Sequence, residues 1–254
     1  MASRLAFWRR EVEDAASDEA HPKPGLLSDF ILGSQDGLVN VLGVILGVAI
    51  ASYKYPNPIT IILAGGLAAA FAESISMGAV AYTSTIARRD HYQSEVDREL
   101  LEMKQLPDVE REEVRKVFAE WGYSGKDLED LTDRIVANPK AWLEFMMAHE
   151  LKLAPVDKTQ ARKSAVLVGV AAIIGSIIPL LPFFAYRGGA SQEDIRTGIV
   201  VSLVLSSITL FVIGWYKGRT TIGRPFRSGT QMLIIGIVSA LAGFGIAYLV
   251  GGSQ

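Results

Sequence analysis

Residues 29–52 decide the class of this protein, and they read DFILGSQDGLVNVLGVILGVAIAS. Asp29 and Asp36 are the charged residues of this stretch, which is long enough to cross a ~30 Å hydrocarbon core, since ~20 apolar residues suffice. Four more stretches share its apolar character: residues 58 to about 87, 164–186, 197–216 and 229–251. The sequence therefore predicts an all-α membrane protein with five transmembrane helices.

The composition excludes several classes of protein. The chain has 254 residues, half of them hydrophobic, with 25 Lys+Arg against 27 Asp+Glu and a formal net charge of −2. A nucleic-acid partner is not expected, because phosphate neutralisation needs clustered positive excess. The absence of cysteine from the sequence excludes disulfide scaffolds, thiolate metal sites and cysteine nucleophiles.

The N-terminal residues 1–28 predict a flexible cytosolic tail rather than a signal peptide. They contain several acids, and no small-residue cleavage site follows a short apolar core. We therefore expect the first apolar stretch to remain in the mature protein.

The distribution of Lys and Arg predicts the orientation in the membrane. Of the 25 basic residues, 22 lie before residue 29, between residues 88 and 163, or between the last two apolar stretches. Short loops rich in Lys and Arg stay on the cytosolic side. We expect a cytosolic N-terminus and middle segment, and a C-terminus on the opposite side.

The middle segment differs from the rest of the chain. Residues 88–163 hold 17 of the 27 acids and lack a run long enough to span. Helical spacing and breakers at Pro107 and Asn138-Pro139 predict helices at about 89–105, 108–121, 127–137 and 139–151. The second span runs into the first of these without glycine or proline, so we expect one continuous stalk. The predicted division is spans one and two at 29–88, a cytosolic helical domain at 89–158, and spans three to five at 159–251.

Glutamates recur at helical spacing in this segment. Glu95, Glu99 and Glu102 share one helix face, and Glu110 and Glu113 form a second pair. A solvated face is the simpler interpretation, because basic residues are interleaved. The later run of Met146, Met147 and Glu150 favours a metal site, although methionines at this spacing more often fill a core.

Two acidic residues lie inside the predicted membrane helices. Asp36 is about 10 Å from the cytosolic edge at 1.5 Å per residue, and Glu73, on the antiparallel second span, is roughly 8 Å from the same edge. An ionisable residue at depth costs at least ~2.5 kcal/mol and usually lines a pathway or contacts a partner. Asp36 and Glu73, with Met77 one turn further on, are therefore candidates for a transport pathway.

Small residues and prolines mark the packing of the spans. Gly33 and Gly37, then Gly43 and Gly47, form two small-xxx-small repeats, which permit close helix contact either between two chains or within one. Pro179 and Pro182 predict a kink or an end in the third span.

Five short motifs carry a resemblance to a known family. They are SDFILG at 28–33, DGL at 36–38, SMG at 76–78, DHY at 90–92 and WLEFMM at 142–147. With the glutamate spacing, they resemble the vacuolar iron transporter family of plants, yeast and prokaryotic relatives, from about residue 28 to 251.

The resemblance implies a function and a ligand set. It implies a homodimeric, proton-coupled exporter of ferrous iron, with a cytosolic helical metal-binding domain between spans two and three, in the vacuolar membrane of a eukaryote or the cell membrane of a prokaryote. Ala69 stands where the family has a glutamate, and Glu73 is one turn later. The implied pathway residues are Asp36 and Met77, and the implied cytosolic ligands are Glu99, Glu102, Glu110, Glu113, Met146, Met147 and Glu150.

Ligand chemistry leaves the metal open. Carboxylates accept divalent cations and a thioether favours transition metals, so Fe²⁺, Mn²⁺, Co²⁺ and Zn²⁺ all fit as transported ions. A buried carboxylate exchanges a proton for a metal, which gives proton coupling a physical route. No tightly bound cofactor and no enzymatic activity are expected.

Three alternatives remain open at this point. A manganese-selective transporter of the same architecture is the strongest. A di-iron oxidase needs paired Glu-x-x-His motifs, and none of the three histidines follows a glutamate in that way. A membrane scaffold with acidic helices leaves Asp36 and Glu73 without a role.

Overall fold

The computed structural model describes residues 24–52, 55–186, 191–221 and 223–251. All regular secondary structure in these ranges is helical. A π-helical turn at Met146–Glu150 directly continues the fifth helix. The helices are α1 (Pro24–Ser52), α2 (Pro58–Gln105), α3 (Pro107–Glu120), α4 (Gly125–Val136), α5 (Pro139–Phe145), α6 (Lys158–Phe184), α7 (Gln192–Thr220) and α8 (Pro225–Gly251).

The number of membrane spans agrees with the prediction. Among the described residues, α1, α2, α6, α7 and α8 are long and apolar enough to cross a bilayer. Helices α3 to α5 lie between the second and third spans in sequence, and their cytosolic location stays a prediction.

Helix α2 is much longer than a membrane span requires. It has 48 residues, which correspond to about 72 Å at 1.5 Å per residue. The helix passes Arg88 and Arg89 unbroken because residues 79–105 contain neither glycine nor proline. The predicted continuity of this helix is confirmed, and its extension into the cytosol stays a prediction.

The chain forms two compact units. One contains the residues up to Ser74 and those from Val170 onward, and the other extends from Ile75 to Gly169. Their boundaries fall inside α2 and α6, whereas the predicted domain limits follow the change in hydrophobicity near residues 88 and 158. The two divisions describe different properties, since a continuous helix can belong to both a membrane and a cytosolic region.

In the first unit, α1 packs against α7 and α8. The core of this unit consists of large aliphatic and aromatic side chains from α1, α2, α6 and α7, joined by one alanine of α8. Its members include Val41, Ile45, Leu46, Ile62, Leu180, Phe183, Ile195 and Ala240.

Two glycines of the α1 repeats, Gly37 and Gly47, pack against other helices of the same chain. A Cβ at Gly37 would overlap the carbonyl oxygen of Ala172 on α6, and one at Gly47 would lie 2.9 Å from Cβ of Ala247 on α8. A Cβ at Gly43 would meet nothing within 4 Å, although one at Gly243 of α8 would lie 3.5 Å from the Gly43 Cα. Close helix approach inside the chain therefore explains Gly37 and Gly47, and the homodimer remains a prediction.

The prolines of α6 do not end the helix where they occur. Pro179 and Pro182 are both internal, and α6 continues to Phe184. Neighbouring helices supply partners to backbone near such residues in a membrane protein, and here Ser202 Oγ of α7 donates to the Pro179 carbonyl at 2.7 Å. Of the two predicted outcomes, an end at either proline is wrong, and a kink stays a prediction.

In the second unit, α3, α4, α5 and the π-helical turn enclose a small core. Trp142, Phe145 and Met146 pack there with residues of α3 and α4. Arg111 and Arg115 of α3 both bond Glu129 of α4 at 2.8 Å, which ties these helices together.

Two helix starts bear on the sequence predictions. The Asn138 side chain accepts hydrogen bonds from the backbone N–H groups of Lys140 and Ala141, at 3.1 and 3.3 Å, as predicted for an N-cap. Helix α1 already begins at Pro24, because proline suits the first helical position. Residues 24–28 are therefore helical and not part of the predicted tail, whose first 23 residues lie outside the described ranges.

Candidate metal centre and membrane carboxylates

Three glutamates of the second unit converge on one point. Glu99 of α2, Glu110 of α3 and Glu150 of the π-helical turn each bring one carboxylate oxygen within 4.8 Å of the others. Glu99 and Glu110 are 2% and 4% exposed, whereas Glu150 is exposed. The three form a cluster with a buried floor and an open side.

A single linking residue brings the first two glutamates together. Helix α2 ends at Gln105 and α3 begins at Pro107, because proline cannot continue a helix but starts one well. Leu106 between them donates its N–H to the Glu102 carbonyl and accepts from Glu110 N–H, at 2.7 and 3.1 Å. The break turns the chain so that the glutamates of α2 and α3 share one site.

The third glutamate is placed by an irregular turn. The Met146 carbonyl accepts from Leu151 N–H at 3.1 Å, the i to i+5 bond of a π-helix. Such turns are rare and occur frequently at functional sites. This turn carries Met146, Met147 and Glu150 together.

The charges of the cluster act strongly on one another. Burial, followed by repulsion from Glu113, Glu99, Glu102 and Glu150, raises the pKa of Glu110 to about 7. The pKa of Glu150 also rises to about 7, again through burial and then repulsion from Glu113, Glu99 and Glu102. Glu102 and Glu113 therefore belong to the same electrostatic site as the three converging glutamates.

Two buried oxygen atoms at this site lack a partner. Oε2 of Glu99 and Oε2 of Glu110 accept no hydrogen bond from the described residues, although the two carboxyl groups share a hydrogen bond with each other. Buried polar atoms are rarely left unpaired, and a divalent cation satisfies two carboxylates at once. The cluster has the chemistry of a cation site, and the ligand roles of its members stay predictions.

Arg98 is a neighbour that sequence reasoning treated only as an interleaved charge. Its guanidinium lies 2.8 Å from Glu95, 3.9 Å from Glu99 and 3.7 Å from Glu102. It offsets part of the negative charge when no metal is bound. The i, i+3 and i, i+4 spacings were the available signal, but spacing alone does not show which glutamates are buried.

The two methionines differ in their surroundings. Met146 is fully buried in the core with Val114 and Phe118, so its packing role is established. Met147 is 3% exposed but lies outside that core. The ligand role predicted for Met147 therefore stays a prediction.

In the first unit, the membrane carboxylates meet. Asn40 Nδ2 donates to Glu73 Oε1 at 2.5 Å, and the carboxyl groups of Asp36 and Glu73 share a hydrogen bond. Asn40 follows Asp36 by one helical turn in the sequence, and this spacing was the available signal for its role. Antiparallel α1 and α2 thus bring the two acids together, as predicted.

Asp36, Met77 and Ala69, the other positions named for the transport pathway, lie in three different environments. Asp36 and Asn40 line a groove of about 280 Å³ between α1 and α8. Met77 is half-buried on α2 in the second unit, beside Gly78, which packs on the Ala165 backbone of α6. Ala69 packs against the apolar core of the first unit.

Known proteins are similar in sequence to this chain over nearly its whole length. The model of the VIT family matches residues 27–248. The chain belongs to the VIT family. It is 34% identical to "Vacuolar iron transporter 1" of Oryza sativa subsp. japonica, over 92% of both chains.

Further relatives carry similar names. The identity is 32% to "Vacuolar iron transporter 1" of Arabidopsis thaliana, over 89% of this chain and 86% of the relative. It is 29% to "Vacuolar iron transporter" of Plasmodium falciparum (isolate 3D7), over 86% and 80%. VIT family members are thus named as transporters, which agrees with the expectation that the chain is not an enzyme.

Proposed function

We propose that this chain transports ferrous iron out of the cytosol in exchange for protons. Family membership and the names of the relatives support iron as the substrate. The convergence of Glu99, Glu110 and Glu150 within 4.8 Å is the observation that carries the proposal, because it supplies a divalent-cation site that a scaffold protein does not need.

The cytosolic cluster captures the ion. Glu150 is exposed and meets the incoming cation first, while the buried Glu99 and Glu110 supply oxygens without other partners. Met147 adds a thioether, which favours a transition metal over Mg²⁺ or Ca²⁺. Glu102 and Glu113 raise the local negative potential and attract cations.

The membrane pair passes the ion on. The carboxyl groups of Asp36 and Glu73 lie within interaction range of one another, and in the proposed metal-free state the pair carries one proton. A metal that binds both carboxylates displaces that proton, and its departure allows the proton to return. Asn40 holds Glu73 toward Asp36, and Met77 supplies a softer donor further along α2.

A second copy of the chain completes the pathway. Asp36 is only half-buried in the single chain and faces the groove between α1 and α8. A carboxylate in contact with hydrocarbon is costly, and such residues face a bundle interior or a water-filled cavity. A homodimer that covers this groove provides that interior.

Manganese is the second candidate substrate. The three atoms that converge are all carboxylate oxygens, and Met146 is occupied by packing. Oxygen ligands suit Mn²⁺. A manganese-selective transporter of the same architecture is therefore the alternative that the site geometry favours.

Transport by purified protein in liposomes tests both candidates. Fe²⁺ uptake is measured under reducing conditions, with and without a pH gradient, and is challenged with Mn²⁺, Co²⁺ and Zn²⁺. We expect uptake that a pH gradient accelerates and that Asp36→Ala abolishes. Ser239→Ala, which changes an uncharged residue of the same groove, is the matched control.

The outcomes separate the possibilities. Suppression of Fe²⁺ uptake by equimolar Mn²⁺, with faster uptake of Mn²⁺ itself, would assign the manganese alternative. Uptake by Asp36→Ala at the rate of the unchanged protein would refute the role of the membrane pair. Uptake indifferent to the pH gradient would refute proton coupling.

A further inference from the structure

The connection between α7 and α8 carries an unusual concentration of positive charge. Lys217, Arg219, Arg224 and Arg227 all lie within residues 217–227, and the sequence contains no Asp or Glu after Asp194. The last 60 residues thus offer these four cations no acidic partner from the same segment.

The four side chains are exposed and unpaired within the described part of the chain. None of the four forms an ion pair or donates a side-chain hydrogen bond to a described residue. The Arg219 guanidinium lies over the Trp215 ring, 5.3 Å from its centroid. By contrast, Arg111 and Arg115 of the second unit both bond Glu129. The cations of this turn are therefore available to an external anion.

Close helix packing fixes the backbone on both sides of the turn. A Cβ at Gly218 would lie 2.7 Å from Cβ of Ser228 and 2.8 Å from the Arg224 carbonyl oxygen. Gly214 approaches the backbone of Gly229 equally closely. The two helices that carry the cations are thus held together, and their charges are concentrated without any need for the chain to rearrange.

Helix stabilisation accounts for only half of these charges. Lys217 and Arg219 lie in the last turn of α7, where cations complement the helix dipole. Arg224 and Arg227 flank the start of α8 at Pro225, where the same dipole disfavours cations. Their placement needs a different explanation.

Aromatic residues surround the turn. Tyr216 is 51% exposed and Phe226 is 73% exposed, and Trp215 lies below Arg219. Aromatic side chains of this kind are enriched at the headgroup level of a bilayer. The turn therefore combines an interfacial aromatic anchor with four free cations.

We propose that the turn between α7 and α8 binds the phosphate groups of anionic phospholipids. Each Lys or Arg near a membrane surface increases the affinity for anionic lipids roughly fivefold. Retention of positive loops on one side of the membrane explains the presence of basic residues, but it does not require them to be held together and unpaired. This lipid site is separate from the carboxylates of the transport proposal and does not depend on it.

Lipid selectivity of the purified full chain tests the proposal. The protein is equilibrated in detergent with equal amounts of phosphatidylglycerol and phosphatidylcholine, and bound lipids are counted by native mass spectrometry. We expect the unchanged protein to retain phosphatidylglycerol preferentially. Arg224→Gln with Arg227→Gln should reduce that preference between roughly fivefold and twenty-five-fold.

Matched variants identify the cause of any change. Lys116→Gln with Lys126→Gln removes two exposed charges from the second unit and should leave the preference unchanged. Arg224→Lys with Arg227→Lys should retain most of it. An unaltered preference in the double glutamine variant, or an equal loss in the Lys116 and Lys126 control, would overturn the proposal.

Two further arms use the unchanged protein, in case the double variant does not fold. Rising salt should abolish the preference for phosphatidylglycerol, because surface charges are screened, and a salt-independent preference would contradict the proposal. Inorganic phosphate at the same concentration as the lipid should not displace it. Displacement would indicate a site for free phosphate and would overturn the assignment to lipid.

Discussion

Lowering the pH from 8 to 6 should weaken metal binding at the carboxylate cluster about a hundredfold. The pKa values of Glu110 and Glu150 are both raised to about 7, first by burial and then by repulsion from neighbouring glutamates. A metal binds the ionised carboxylates, so protons compete with it. An ordinary carboxylate stays ionised over this whole range and would give no such effect.

The magnitude follows from the two ionised fractions. A group with a pKa of about 7 is roughly nine-tenths ionised at pH 8 and roughly one-tenth ionised at pH 6. Two such groups, Glu110 and Glu150, reduce the fully ionised population about a hundredfold. At pH 7 each is about half protonated, so binding of one metal ion should release about one proton.

Isothermal titration calorimetry on the full chain in detergent measures both quantities. Co²⁺ replaces Fe²⁺ because it is stable to air, and buffers of different ionisation enthalpy report the number of protons released. The variant Glu110→Gln with Glu150→Gln should bind weakly at all pH values and lose the pH dependence. Glu120→Gln, which removes an exposed glutamate at the end of α3, should behave as the unchanged protein.

Two results would refute this reasoning. The first is a cluster affinity that is equal at pH 6 and pH 8. The second is metal binding at pH 7 without proton release.

Three other perturbations have definite expected outcomes. Glu110→Gln should raise the Tm of the metal-free protein at pH 8 and not at pH 4. Because the pKa of Glu110 is raised, the folded state loses stability as pH rises from the usual carboxyl range toward about 7. Thermal unfolding in detergent checks this, and a lower Tm at pH 8 would contradict it. Asn40→Ala should slow metal uptake into liposomes between roughly tenfold and 150-fold, since a hydrogen bond to a charged group contributes about 1.5–3 kcal/mol, and an unchanged rate would show that Asn40 does not position Glu73. Gly37→Leu should abolish the monodisperse peak in size-exclusion chromatography because its side chain would overlap the Ala172 backbone, whereas Gly245→Leu, which meets open space, should elute normally.

The local features of the fold were predictable from the sequence. Hydrophobic length alone predicts the five spans, since the bilayer thickness sets the helix length. The absence of glycine and proline from residues 79–105 predicts the unbroken α2. Asn138 followed by Pro139 predicts a capped helix start, because both effects are confined to one turn.

The tertiary structure decided which predicted residues meet and which of them only pack. Spacing placed Glu99 and Glu110 on two helix faces, but the turn at Leu106 brings these two buried glutamates together with the exposed Glu150. The tertiary structure also placed Met146 in an apolar core.

The first unit shows the same difference between what the sequence predicted and what the tertiary structure decided. The sequence by itself predicted that Asp36 and Glu73 lie at similar depth on antiparallel helices, and this depth stays a prediction. It did not determine the hydrogen bond from Asn40 to Glu73 or the packing of Gly37 on α6. Helical periodicity fixes the face on which a side chain lies, whereas the partner of that face depends on how distant segments pack.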